Sequence, residues 1–118
     1  MKVVKCEFIG LCSADIYPLV PFENQLVRDF LYYLLLTHNF TDYAILGSQR
    51  AGMPKVNREH LFAYSLFIPP LKNQQAIVQK LDVLSTETKK LETISQQKLK
   101  AFDELKKAIL HQAFSGQL

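Results

Sequence analysis

A polar loop holds the side chains of this sequence that are best suited to binding an anionic partner. It runs from Gly47 to Arg58 and offers a hydroxyl, a carboxamide, an ammonium and two guanidinium groups. Arginine can contact guanine and glutamine can contact adenine through paired hydrogen bonds, while lysine and serine can hold phosphates. The candidate DNA-contacting residues are Ser48, Gln49, Arg50, Lys55 and Arg58. The alternative is a solvated connection whose polar side chains satisfy one another.

No arrangement typical of an active site accompanies this loop. His38, His60 and His111 fall on three different predicted elements, away from any known nucleophile pattern. The acidic residues show no metal-ligand or glycosidase spacing, and no glycine-rich phosphate loop is present. Cys6 and Cys12 lack the spacing of a metal site and are expected to be free thiols, as in cytoplasmic proteins. We therefore expect a non-enzyme with no catalytic residues, no metal and no cofactor.

The longest predicted element is a helix that follows Pro69-Pro70 and ends at Phe114. No Gly or Pro falls between Asn73 and Phe114, so nothing there forces a break. Asn73 is suited to cap the start of the helix, and Gly116 is suited to close its end in the left-handed conformation. A helix of about 42 residues would be on the order of 60 Å long, which is too long for a small domain to bury.

Apolar residues recur along this helix at alternating steps of four and three, which is typical of a coiled-coil seam. The residues expected to contact a partner helix are Ile77, Leu81, Leu84, Leu91, Phe102, Leu105 and Ile109. Thr88, Ser95 and Lys98 interrupt the seam, and Ile94 and Leu99 lie one position away from it. We therefore expect tight packing at both ends of the helix and loose or altered packing in between.

The remaining pattern predicts an α+β fold. Strands are expected at Lys2–Ile9, Asp15–Val20 and Tyr64–Ile68, a core-packing helix at Gln25–Phe40, and a short helical turn at Arg58–Phe62. No stretch is long and apolar enough to cross a membrane, and no signal-peptide profile opens the chain. The net charge of +3 arises on the long helix. This excess is too small to demonstrate nucleic-acid binding, because a lysine-rich helix is usually a solvated face.

Several segments resemble the specificity subunit of type I restriction-modification systems. The sequence GMPKVNREHL at 52–61 is similar to the end of that family's target recognition domain, and FIPPLKNQQAIV at 67–78 to its exit into a long helix. The sequence ILHQAFSGQL at 109–118 is similar to the end of that helix. Upstream, DIY at 15–17 and FLYYLL at 30–35 resemble a strand and a helix of the same domain.

The resemblance covers roughly residues 12–118 and implies a non-catalytic DNA reader. In this family two recognition domains are held apart by two antiparallel helices, which also dock methyltransferase subunits that bind S-adenosylmethionine. A further subunit translocates and cleaves DNA. We expect residues 1–70 to form a partial recognition domain and residues 71–118 to form a spacer and dimerisation helix. The chain would then be a truncated or rearranged gene product, or a fragment.

The expected partners are double-stranded DNA, the methyltransferase subunit and a second copy of the chain. Two copies of the long helix would pack antiparallel, so that the two globular ends face apart, and a parallel pair is the rival geometry. The alternative function is a pure coiled-coil interaction module that assembles with intact subunits but does not bind DNA specifically.

Overall fold

The computed structural model describes residues 2–48 and 55–118, and this part of the chain forms helices joined by irregular segments. The helices in chain order are α1, Arg28–Leu35; α2, His38–Leu46; α3, Arg58–Phe62; and α4, Leu71–Phe114. Neither described range contains a strand. The predicted α+β class is therefore wrong, and the described residues form an all-helical structure with one long C-terminal helix.

The three predicted strands fail for a shared physical reason. The segments Lys2–Ile9, Asp15–Val20 and Tyr64–Ile68 contain β-branched and aromatic residues, but they carry no regular secondary structure. A strand persists only when its backbone groups pair with a neighbouring strand. In the second segment, the amide of Ile16 instead donates to the carbonyl oxygen of Ser13 at 3.1 Å, which is a hydrogen bond of a turn. The residue types of a segment favour a strand but do not provide the neighbouring strand with which it must pair.

The single helix predicted over Gln25–Phe40 is divided into α1 and α2 at Thr37. Thr37 has an extended backbone, with ψ at 149°. Its hydroxyl donates to the carbonyl oxygen of Leu34 at 2.7 Å and accepts from the amide of Phe40 at 3.4 Å. The Thr37 side chain therefore bonds to the C-terminal end of α1 and caps the N-terminal end of α2.

A small core joins the two helices. The buried apolar side chains are Phe30, Leu35, Phe40, Ala44 and, on α4, Val78. The ring of Phe40 meets the ring of Tyr64 edge-on, with centroids 5.2 Å apart, so the irregular segment after α3 also contacts this core.

Helix α4 begins at Leu71, two positions before the predicted cap at Asn73, and ends at Phe114 as predicted. Gly116 adopts a φ of 74°, which confirms the predicted left-handed closure. The chain divides into two compact units, residues 1–79 and residues 80–118, so the first turns of α4 belong to the first unit. No helix in the described ranges is long and apolar enough to span a membrane.

Candidate nucleic-acid interface

Helix α3 presents one of the predicted DNA-contacting cations. Asn57 is extended, and its side-chain oxygen accepts from the amide of Glu59 at 3.2 Å, which confirms the predicted start of this helix. Arg58 is the first residue of α3 and is exposed. Its guanidinium carbon lies 5.4 Å from the centroid of the Phe62 ring, a cation–π distance. The aromatic ring thus restricts the arginine while leaving its hydrogen-bond donors accessible.

Lys55, the other predicted DNA-contacting cation that the structure describes, already forms an ion pair with a carboxylate. Its ammonium nitrogen lies 2.9 Å from Asp15 Oδ1, and the two side chains are 65% and 80% exposed. The hydrogen bond and the negative charge of Asp15 raise the pKa of Lys55, so the ammonium stays protonated. The Tyr17 hydroxyl also donates to the carbonyl oxygen of Val56 at 3.3 Å. These two contacts fasten residues 15–17 against residues 55–56.

A reciprocal contact between Tyr43 and His60 holds α2 to α3. The two rings stack with centroids 4.1 Å apart and planes 10° from parallel. The Tyr43 hydroxyl donates to the carbonyl oxygen of His60 at 2.7 Å, and the His60 Nε2 atom lies 2.8 Å from the carbonyl oxygen of Tyr43. His60 therefore serves packing and hydrogen bonding, and it fixes the helix that carries Arg58.

Gly47 and Ser48 complete the C-terminal end of α2. A Cβ atom added to Gly47 would overlap the His60 ring, so only glycine lets the imidazole approach so closely. The Ser48 hydroxyl donates to the carbonyl oxygen of Ile45 at 2.7 Å, which ties this candidate residue to its own helix. The other two candidates, Gln49 and Arg50, lie outside the described residues.

Gln74 fixes the beginning of α4 to the chain segment before α1. It has no exposed surface. Its Oε1 atom accepts from the amide of Val27 at 2.8 Å, and its Nε2 atom donates to the carbonyl oxygens of Gln25 at 2.9 Å and of Pro69 at 2.8 Å. One buried carboxamide therefore satisfies three backbone groups from two segments.

Sequence reasoning missed three parts of this arrangement: the Asp15 partner of Lys55, the Tyr43–His60 stack and the Gln74 anchor. The first two join residues 40 and 17 positions apart. No local pattern reveals which carboxylate or ring lies that far along the chain. A glutamine on a helix whose other polar positions are mostly exposed likewise carries no sequence signal of burial.

The predicted seam residues on α4 are largely accessible. Leu81 is half-buried, and the other six are exposed. Their exposed fractions run from 40% at Ile77 to 67% at Phe102. An apolar stripe of this kind is typical of a surface that contacts a partner.

Two comparisons with known proteins indicate the same family. A family model described as the type I restriction modification DNA specificity domain matches residues 5–101. The chain is 33% identical over 117 residues to the specificity subunit of the Escherichia coli type I restriction enzyme EcoDI. The alignment covers 99% of the chain and 26% of that subunit, so the chain spans about a quarter of the relative's length. No solved structure matches.

Proposed function

Since the chain belongs to the type I restriction-modification DNA specificity family, we propose that it is a non-catalytic DNA-recognition and scaffolding subunit, or a fragment of one. Family membership confirms the resemblance seen in the sequence. The proposed partners are double-stranded DNA, the methyltransferase subunit of the same system and a second copy of the chain. Methyl transfer and DNA cleavage would belong to partner subunits. An assembly that acts on the cell's own DNA would work in the cytoplasm.

The observation that best supports DNA binding is the exposed pair of cations on one short segment. Lys55 and Arg58 lie three positions apart on either side of the Asn57 cap, and the Tyr43–His60 stack fixes the helix that follows. An arginine restricted by an aromatic ring loses less side-chain freedom on contacting a phosphate or a base edge. Together with Ser48, Gln49 and Arg50 earlier in the loop, these residues form the proposed DNA-contacting set.

Arginine substitutions test this proposal on the full-length chain. Binding to a fluorescent pool of random duplexes is measured by anisotropy over a range of salt concentrations. We expect the affinity to fall with salt, and Arg50→Ala and Arg58→Ala to weaken binding and to reduce the slope by roughly one each. Lys100→Ala, at an exposed position of α4, is the matched control. Binding that is insensitive to salt and to both arginine substitutions would refute the proposed interface.

The scaffolding role depends on α4, whose apolar seam we propose packs antiparallel against α4 of a second copy. This pairing would place the two recognition domains at opposite ends of the helices, as in a specificity subunit with two such domains. Cysteines introduced at positions 77 and 109 of a Cys6→Ser, Cys12→Ser background should cross-link between copies. Efficient linkage of position 77 to position 77 would instead indicate a parallel pair.

A second candidate function is a pure interaction module that pairs through α4 without useful DNA affinity. The observation that favours it is the contact between Lys55 and Asp15, because that carboxylate occupies the ammonium that a phosphate would contact. Stable self-association, combined with equal and weak retention of specific and scrambled duplexes, would support this candidate over the first.

A further inference from the structure

The seam of α4 is symmetric in polarity about Thr93 at every pair of positions except Leu91 and Ser95. Pairs of seam residues that lie equally far from Thr93 are Ile77 with Ile109, Leu81 with Leu105, and Leu84 with Phe102. Two of the three interrupting residues, Thr88 and Lys98, are also equally far from it. In an antiparallel pair centred on Thr93, apolar residues at both ends would meet apolar residues, and Thr88 would meet Lys98.

Moving this register by one heptad toward the C-terminus leaves two kinds of apolar pair, Leu84 with Ile109 and Leu91 with Phe102, in place of three, and creates new mixed pairs. Leu81 would then lie opposite Gln112, and Thr88 would lie opposite Leu105. Each mismatch places a polar group against an apolar side chain at the interface and removes that group from water, which is unfavourable. The register centred on Thr93 is therefore the favoured antiparallel arrangement of this seam with itself. One mixed layer remains in it, Leu91 opposite Ser95.

Lys98 is the one charged residue in the seam, and its surroundings distinguish the possible orientations. It is exposed, and no carboxylate among the described residues pairs with it. In the antiparallel register, the flanking residue of the second copy nearest to Lys98 is Glu87. Glu87 forms an ion pair with Lys90 at 3.0 Å, and its side chain remains 58% exposed, so it is accessible to a second cation.

A parallel pair in register would have the opposite electrostatics. Each Lys98 would face the Lys98 of the second copy inside the seam, and Glu87 would face Glu92 across the flank. Both contacts are repulsive. The antiparallel register replaces them with two Lys98–Glu87 attractions and one Glu92–Glu92 repulsion near the centre.

We propose that α4 pairs with α4 of a second copy in a single antiparallel register centred on Thr93, and that Lys98 of each copy selects this register by pairing with Glu87 of the other. The inference rests on the self-pairing proposed above and adds the register and the charges that fix it. Polar seam residues are known to select register and partner number at some cost in stability.

Charge reversal in the full-length chain tests the proposal, with the dimer dissociation constant measured by sedimentation equilibrium. Lys98→Glu places two acids together, and Glu87→Lys places two ammonium groups together. We expect each single variant to weaken the dimer about tenfold, or about 1.4 kcal/mol, and the double variant to recover most of the loss. Lysine and glutamate have similar helix propensity, so circular dichroism should show an intact helix in every variant.

The controls are Lys100→Glu and Glu104→Lys, which make the same changes at exposed positions facing away from the seam and should leave the dimer unchanged. A parallel pair would respond differently: Lys98→Glu would have little effect and Glu87→Lys would tighten the dimer, and this result would overturn the inference. Failure of the double variant to recover would overturn the register. A monomeric wild-type chain would refute self-pairing itself, whereas the salt dependence of DNA binding tests the other part of the proposed function separately.

Discussion

The buried carboxamide of Gln74 provides the sharpest test of how the first turns of α4 are held within the first unit. Gln74→Met keeps a side chain of similar length and shape but removes all polar atoms. Three hydrogen bonds, between 2.8 and 2.9 Å long, would be lost, and the Val27 amide and the carbonyls of Gln25 and Pro69 would be left without this partner. At a net value of roughly 1 kcal/mol for each bond, the unfolding free energy should fall by about 3 kcal/mol.

This loss would be a large part of the total stability, because small domains are stable by only about 5–15 kcal/mol. For a unit of this size, it corresponds to a fall in melting temperature of roughly 12–24 °C. The change would be concentrated in the first unit, where the carboxamide and its partners lie.

The chain contains a natural probe for this measurement. It has no tryptophan, and its five tyrosines all lie in the first unit. Tyrosine fluorescence in a urea titration therefore reports the first unit, while circular dichroism at helical wavelengths is dominated by α4. Gln75→Met is the matched control, because Gln75 is the exposed neighbour on the same helix. Protein concentration is held constant, since self-association would otherwise shift the transition.

The variant Gln74→Glu provides a second test, based on the pH dependence of stability. A carboxylate at this position would face two carbonyl oxygens without solvent, so burial would raise its pKa above that in the unfolded chain. Between the two pKa values the folded state would bind more protons than the unfolded state, so the stability of this variant should fall as pH rises from the unfolded-state pKa through the raised folded-state pKa. A Gln74→Met variant within about 0.5 kcal/mol of Gln75→Met, an ordinary effect of surface substitutions, would refute the anchoring role.

Three further predictions concern the candidate interface. Gly47→Ala should destabilise the first unit by about 1–3 kcal/mol in the same urea titration, because the new methyl group overlaps the His60 ring. The control is Gly10→Ala, next to an exposed Phe8 ring, which should have little effect. Equal effects of the two substitutions would contradict the close approach of His60 to Gly47. Asn57→Ala should lower the unfolding free energy by about 1 kcal/mol, because the α3 cap is lost. Asn57→Asp keeps the hydrogen-bond acceptor and should retain most of that stability. If Asn57→Asp is as unstable as Asn57→Ala, the cap is unimportant. Asp15→Asn should lower the raised pKa of Lys55 toward its ordinary value, as measured by NMR titration, and should tighten binding to random duplexes. Because the pKa is raised in the folded chain, the stabilising contribution of this pair is fully present below the ordinary lysine pKa and is lost as pH rises through the raised value. An unchanged Lys55 titration in Asp15→Asn would show that the pair is absent in solution.

The sequence by itself determined the elements that depend on near neighbours. Helix α4 follows from the absence of Gly and Pro over its length, its end from Gly116, and α3 from the cap at Asn57. The family could also be recognised from short segments, because a local run of residues carries that information. The seam follows from spacing alone, although its role in pairing remains a proposal.

Tertiary structure decided the rest. The strand-like segments remain irregular because a strand is defined by its partner, and the described chain pairs none of them. The break in the predicted Gln25–Phe40 helix is an exception, because the Thr37 hydroxyl bonds to Leu34 and Phe40, each three positions away; this break is local, and the apolar periodicity did not reveal it. The Lys55–Asp15 pair and the Gln74 anchor join residues 40 and 47–49 positions apart. Helical hydrogen bonds link residues four positions apart, so a short window of sequence contains both partners. Contacts across forty residues depend on how the whole chain folds, and a short window cannot contain them.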